Sequence, residues 1–300
     1  MRALVTGGRG FVGRWLSSHL EKEGDEVIAT GEEVDVTDAD AVRRSFAEIR
    51  PDVVYHLAGW AAVGSSWSNP PGVFAVNAAG VVHVLDAARR LADQPRVLVV
   101  SSAEVYGQVQ PHQLPLTEDL PAAPVSPYAS SKVAAEVAAR QFATGFDLGV
   151  VIARPFNHIG PGQSPGFVVS DLAKRIVEAE RSGATVLEMG NPTPRRDLTD
   201  VRDVVRAYRL LLERGRFGET YNVCTGTDVI IGDLARRMIE LSGLPLTLST
   251  GSVDLRPIDV PVLRGDPTKL REATSWEPEI PLDETLRDVL AYWRDPPTEG

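Results

Sequence analysis

The chain has 300 residues, 43% of them apolar, with a formal net charge of −10 and a pI near 5.1. That is enough apolar material for one large core or two unequal ones. The acidic balance argues against nucleic acid or an anionic membrane as partner and leaves room for a local positive pocket only. Cys224 is the single cysteine and the histidines are scattered, so neither a disulfide framework nor a metal centre is expected. Ala3-Leu4-Val5 opens the chain without a leader-like basic and apolar segment, and no run of about 18 apolar residues stands out. A cytoplasmic protein is expected.

Short β-branched runs over 2–6, 26–29, 53–57, 97–101 and 149–153 alternate with amphipathic helical patterns over 11–23, 38–49, 73–91 and 128–144. Strand–helix alternation with apolar strands predicts a doubly wound parallel α/β sheet. Ligands of such sheets bind beyond the C-terminal ends of the strands. After residue 154 prolines and glycines cluster. Helices are then expected over 168–182, 201–214, 231–241 and 282–293, and a strand over 221–224. This predicts a first domain over 1–154, with 197–224 packing back onto it. A smaller C-terminal substrate-binding domain is expected from 155–196 and 225–300, ending in a frayed tail.

Gly7, Gly10 and Gly13 stand between the first strand and first helix, with Phe11 and Val12 among them. Glycine there permits a tight turn and lets backbone approach a pyrophosphate, which helix N–H groups would hold. This predicts a dinucleotide site. Past the second strand, Glu32 and Glu33 suit a free ribose hydroxyl and favour NAD, while Arg9 can reach a 2′-phosphate and keeps NADP open. Asp35, with Val36, is expected at the adenine. Leu57, Ala58 and Gly59 end the third strand with small residues suited to lie along the cofactor phosphates. Asn77 is a poor helix former within a helix; a buried structural hydrogen bond and a cofactor contact are both open to it.

Tyr128 and Lys132 lie four residues apart, on one face of a helix. A nearby ammonium can bring a phenol of ordinary pKa ~10 toward neutrality, a shift of roughly three units worth about 4 kcal/mol. Alone the spacing is weak evidence. With the glycine loop and Ser101-Ser102-Ala103-Glu104-Val105-Tyr106-Gly107 at the end of the fourth strand, the chain resembles the extended short-chain dehydrogenase/reductase family. Its members are Rossmann-type NAD(P)-dependent enzymes that modify nucleotide sugars. The resemblance implies that Ser102 and Tyr128 hold and protonate a sugar oxygen. Lys132 would hold the nicotinamide ribose and lower the tyrosine pKa. Pro155 and His158 would flank the nicotinamide, His158 through its backbone. Tyr106 is expected to pack, not to react. Glu104 matches the C5 base of 4,6-dehydratases, but Ala103 stands where some of them carry a paired acid.

Arg154-Pro155-Phe156-Asn157-His158-Ile159-Gly160-Pro161-Gly162-Gln163-Ser164, followed by Gly166-Phe167-Val168, narrows the resemblance to a group within that family, the GDP-4-keto-6-deoxy-D-mannose reductases that form GDP-D-rhamnose. Segments 196–203 and 255–261 fit the same group. By that resemblance Arg196 and Arg256 grip the substrate diphosphate, the chemistry for which guanidinium is suited. Asn157, Val168, Lys174 and Asp259 join the substrate site, and Trp67 lies on a loop over it. A homodimer through a four-helix bundle of the 73–91 and 128–144 helices is implied. The other reading is a 4-epimerase or 4,6-dehydratase that keeps and recycles bound NAD.

Overall fold

The computed structural model describes residues 1–251 and 260–296; Arg256 and Asp259 lie outside the described residues. The first half runs β1 (Arg2–Thr6), α1 (Phe11–Lys22), β2 (Glu26–Thr30), α2 (Ala39–Ile49) and β3 (Val53–His56). It continues through α3 (Pro70–Phe74), a π turn over Ala75–Ala79, α4 (Gly80–Arg89), β4 (Arg96–Val100), α5 (Pro127–Phe146) and β5 (Val150–Pro155). The second half runs β6 (Asn157–Ile159), α6 (Val168–Ser182), β7 (Val186–Met189), β8 (Arg195–Asp200), α7 (Val201–Arg214) and β9 (Thr220–Val223). Then follow β10 (Asp228–Ile230), α8 (Ile231–Ser242), β11 (Thr247–Thr250), β12 (Val262–Leu263), α9 (Thr268–Thr274) and α10 (Leu282–Arg294).

The main sheet has the order β2-β1-β3-β4-β5-β9, every pair parallel. Strand order reverses between β1 and β3, so the loops leaving these strands turn to opposite sheet faces and open a crevice. One face is covered by α1, α7 and α9 through Leu16, Leu20, Val204, Tyr208, Leu211 and Leu270, with Trp276 just after α9. The other is covered by α2, α4 and α5 through Val42, Phe46, Val84, Leu85, Ala135 and Ala139. β9 pairs with β5 and closes the sheet at that edge.

The helix 73–91 read from the sequence begins earlier, at Pro70, because Asn69 caps it by accepting from Gly72 N and Pro70 supplies the fixed φ of a first turn. Its run Pro70–Arg89 is long and apolar enough to cross a membrane by length and composition. In the fold its Val73, Val81, Val84 and Leu85 are buried, as in a core helix.

A further core joins α6, α8 and α10 through Leu172, Ile176, Leu234, Met238, Leu286 and Val289. Beside it β10, β8 and β12 form a small sheet, with β6 also pairing β8, and β11 pairs β7. Sequence periodicity shows none of β6, β7, β8, β10, β11 and β12. β8 reads Arg-Arg-Asp-Leu-Thr-Asp, yet all but its first residue are buried. Two of its polar side chains, Asp197 and Asp200, are held by partners distant in sequence. Asp197 accepts from Thr225 N at 2.9 Å, Thr225 Oγ1 at 2.7 Å and Gly226 N at 2.9 Å. Burial raises its carboxyl above the usual range, against the pull of those bonds.

Candidate active site

The turn after β1 is shaped by what glycine lacks. Gly7 has φ +69°, and a Cβ there would stand 2.7 Å from Ala58 N on the loop after β3. A Cβ on Gly13 would meet Gly7 O at 2.4 Å. Both loops thus close on each other by backbone alone. Gly10 caps α1 without a side-chain hydrogen bond, and the first turn carries no acid. Its orphan N–H groups and positive dipole end remain available to an anion. Thr6 Oγ1 lies 2.7 Å from His56 Nδ1, tying the two strand ends together. Burial brings the His56 imidazole down to about 3, so it stays neutral near pH 7.

A cavity of about 1010 Å³ follows the C-terminal ends of β1, β3, β4 and β5. The glycine loop supplies Gly7, Gly10, Phe11, Val12 and Gly13 to its wall, and the β2 side supplies Asp35 and Val36. Leu57, Ala58 and Gly59 come from the end of β3, Ser102 and Glu104 from the end of β4. Tyr128 and Lys132 enter from α5, and Pro155, Asn157 and His158 from the end of β5. Among the described residues, four of those expected to contact cofactor or substrate are not on this wall. Asn77 is 1% exposed beneath the β3 loop, accepting from Trp60 N at 2.7 Å and donating to Ser131 Oγ at 2.9 Å. Val168 starts α6 and packs on the third core. Lys174 faces outward, 3.7 Å from Glu178. Arg196 donates to the carbonyls of Arg195 and Pro261, on the strand paired with the wall residue Leu263. Trp67 is also off the wall; Trp60 takes a place there instead. At the far end, Arg9 and Glu33 pair at 3.3 Å, and Glu33 accepts from Gly31 N at 2.9 Å.

Ser126 caps α5 by accepting from Ala129 N at 3.1 Å, which fixes the helix start that sets Tyr128 against Ser102. The Ser102 hydroxyl neighbours the Tyr128 phenol on the same wall and acts to lower its pKa. The expected lowering of the tyrosine by Lys132 is not what the geometry gives. Burial pushes the Tyr128 phenol up to about 12, opposed by Ser102 and reinforced by the charge of Glu104. The Lys132 ammonium is committed to Val100 O at 2.9 Å and stands 5.8 Å from the tyrosine ring centre. Tyr128 is therefore held as a neutral phenol, the form a proton donor needs. Burial brings Lys132 down to about 8, against the pull of Glu136.

Beneath this corner lies a polar network that motif reading missed. Glu136, 1% exposed, accepts from Ser101 Oγ at 2.6 Å and from Arg154 Nε and Nη2 at 2.7 Å each. Arg154 Nη1 donates to Tyr106 Oη at 3.0 Å, and Tyr106 donates to Asn222 at 2.7 Å. Tyr106 thus has a structural place, apart from the proton-transfer pair. Ser101 precedes Ser102, and Glu136 lies one turn after Lys132. The network therefore pins the end of β4 to α5 and fixes the Ser102–Tyr128 distance. The spacing of Lys132 and Glu136 was the one available signal. Gln163, also on the wall, lies in the distinctive 154–164 segment without having been singled out, and Tyr208 carried no signal.

The model of the NAD dependent epimerase/dehydratase family matches residues 3–224. The chain is 34% identical over 295 residues to the GDP-6-deoxy-D-mannose reductase of Pseudomonas aeruginosa, covering 97% of both chains. Its fold matches the structure of RMD from Pseudomonas aeruginosa complexed with NADPH, with TM-score 0.89, 35% identity and 98% of each chain covered. It also matches the UDP-glucose 4-epimerase of Thermus thermophilus complexed with NAD, with TM-score 0.89, 29% identity, 99% of this chain and 100% of that one.

Proposed function

The chain belongs to the NAD dependent epimerase/dehydratase family, and from that premise we propose that it reduces the C4 keto group of GDP-4-keto-6-deoxy-D-mannose, giving GDP-D-rhamnose. It is an NAD(P)-dependent nucleotide-sugar oxidoreductase. The residues fit a dinucleotide: the glycine turns leave no Cβ in the crevice, and the α1 N-terminus has no competing acid. When bound, the reduced dinucleotide supplies the hydride. The protein's own part is at the carbonyl oxygen. Ser102 and Tyr128 offer two hydroxyls to one oxygen, stabilising charge as it develops there. Tyr128 then gives its phenolic proton to that oxygen. The resulting phenolate is stabilised by Ser102, and Lys132, which donates to Val100 O on the same wall, would hold the nicotinamide ribose. The observation that supports this reading is that Ser102, Tyr128 and Lys132 line the same cavity as the glycine turn after β1.

On the substrate side, Asn157 at the cavity wall meets the sugar. Arg196, with Arg256 outside the described residues, meets the diphosphate. Glu104 favours a second reading: a carboxylate beside the Tyr128 pair suits 4,6-dehydration or epimerisation with retained NAD. The test is to supply the 4-keto-6-deoxy sugar nucleotide with NADPH or NADH and follow loss of the reduced nicotinamide absorbance. Consumption of either supports the reductase. No consumption of either, with GDP-mannose converted in the absence of added reductant, replaces it by the second reading.

A homodimer through α4 and α5 is part of the proposal. Phe74 and Val82 from the α3–α4 run are 40% and 38% exposed, and Val137 and Phe146 on α5 are 60% and 42% exposed. Apolar side chains of that size on two adjacent helices suit a second copy of the chain.

A further inference from the structure

Segment 107–126 follows the turn after β4 and ends where α5 begins. Its ends close on each other by backbone. Ala123 N donates to Val105 O at 2.9 Å, and a Cβ on Gly107, at φ +65°, would stand 1.9 Å from Ala123 O. At its middle Leu116 is 0% exposed and pairs with Gly265, just past β12. Leu116 N donates to Arg264 O at 2.9 Å, and Asp266 N donates to Leu116 O at 2.9 Å. The segment is thus a strap between two stretches of the cavity wall. One is Leu263, at the end of β12. The other is Ser102 and Glu104. Ser102 caps a 3₁₀ turn over Ala103–Tyr106 by accepting from Glu104 N at 3.2 Å. Ala103, Tyr106, Leu116 and Leu263 pack in one core.

Asn222, on β9 and 0% exposed, joins the two stretches. Its Nδ2 donates to Leu116 O at 2.8 Å, and its Oδ1 accepts from Tyr106 Oη at 2.7 Å. Its backbone N donates to Glu118 Oε1 at 2.6 Å, a second hold on the strap. None of these bonds can be reversed. Arg154 Nη1 can only donate to Tyr106 Oη, at 3.0 Å, so the phenol's own proton goes to Asn222. Leu116 O can only accept, so the amide nitrogen must face it. A buried, fully matched chain of this kind is rigid and specifies one arrangement. Tyr106 ends the turn that Ser102 begins, so this amide sets where the Ser102 hydroxyl stands relative to Leu263. We propose that Asn222 is a positioning residue for the transfer: through Tyr106 it aims Ser102, and through Leu116 it seats the β12 wall against the sugar nucleotide. This rests on the function proposed above.

Two variants cut the chain on opposite sides of the amide. Tyr106→Phe is isosteric and removes the bond toward Ser102. Asn222→Asp keeps an acceptor for Tyr106 and sets a carboxylate oxygen against Leu116 O. Turnover of the 4-keto-6-deoxy sugar nucleotide is measured with saturating reduced dinucleotide, and dinucleotide affinity by calorimetry. Tyr106→Phe should lower kcat roughly 10- to 100-fold, the scale on which an ångström of misplacement acts, with KM held. Asn222→Asp should raise the KM for the sugar nucleotide as well. Both should leave dinucleotide affinity unchanged. In a Ser102→Ala background Tyr106→Phe should cost nothing further, because the group it aims is gone. A full additive loss there would overturn the assignment, as would unchanged kinetics in both variants. Loss of dinucleotide affinity to the same degree would mean general packing damage and overturn it too. Failure of the unaltered protein to turn over this substrate would instead sink the proposed reduction, and the positioning role with it.

Discussion

Glu136→Gln removes one buried negative charge while keeping the side chain's shape. The carboxylate accepts four donors: Ser101 at 2.6 Å, Arg154 twice at 2.7 Å and Arg140 at 2.8 Å. Arg154 is itself 3% exposed, so the variant leaves a guanidinium buried without its counter-charge. Breaking such a pair from one side costs about 3–5 kcal/mol, and the retained amide oxygen puts the change near ~3 kcal/mol, a large part of a typical 5–15 kcal/mol total. Urea unfolding at neutral pH should show it as a lower midpoint. The sign of the pH dependence follows from the carboxyl's position. Burial alone would raise it, but Arg154, Ser101 and Arg140 together hold it below its ordinary 4.5. Its contribution is complete above that value and is lost as pH falls through the lower folded one. The stability gap between the two proteins should therefore close in acid. A second readout is catalytic. Glu136 is the influence that opposes the burial of Lys132, so its loss should take the lysine further below about 8 and move the alkaline limb of kcat/KM to lower pH. An unchanged midpoint, or a gap as wide in acid as at neutrality with an unmoved limb, would refute the assignment of a charged network.

Gly7→Ala places a Cβ 2.7 Å from the Ala58 backbone at φ +69°; with roughly 1–2 kcal/mol of backbone strain added, a lower Tm and at least about tenfold weaker dinucleotide binding are expected by scanning and titration calorimetry. Arg9→Ala should weaken NADPH more than NADH. Glu33→Gln, which releases Arg9 from its partner at 3.3 Å, should shift the ratio a few-fold the other way; exposed pairs allow no larger effect. Val137→Asp, at a position 60% exposed, should give monomers by light scattering with the fold intact if α5 joins two copies.

The parallel sheet was legible because strands buried on both faces read as apolar runs, and each helix between them shows its own period. Gly7, Ser102 and Tyr128 were legible because loop or helix spacing exposes them. What escaped the sequence lies where partners are distant. β8 is polar along its length and is stabilised by residues such as Thr225 and Thr285. Tyr208 looks like an ordinary core residue of an amphipathic helix. Only its placement on the cavity wall distinguishes it. The expected effect of Lys132 on Tyr128 failed for a quantitative reason: desolvation of the phenol outweighs a cation turned toward Val100 O.

Asp197 holds the backbone just after β9 to β8, the strand from which β6, β10 and β12 extend. One carboxylate is thus the rivet between the edge of the main sheet and the small sheet; under the proposed function these are the part that performs the transfer and the part that selects what is transferred to. Under the proposed function, sequence drift in the small sheet and the α6, α8 and α10 core would redraw selectivity around that rivet, while the Ser102–Tyr128–Lys132 corner, braced by Glu136 and Arg154, would be left undisturbed. Chemistry and substrate choice can then evolve at separate rates within one chain.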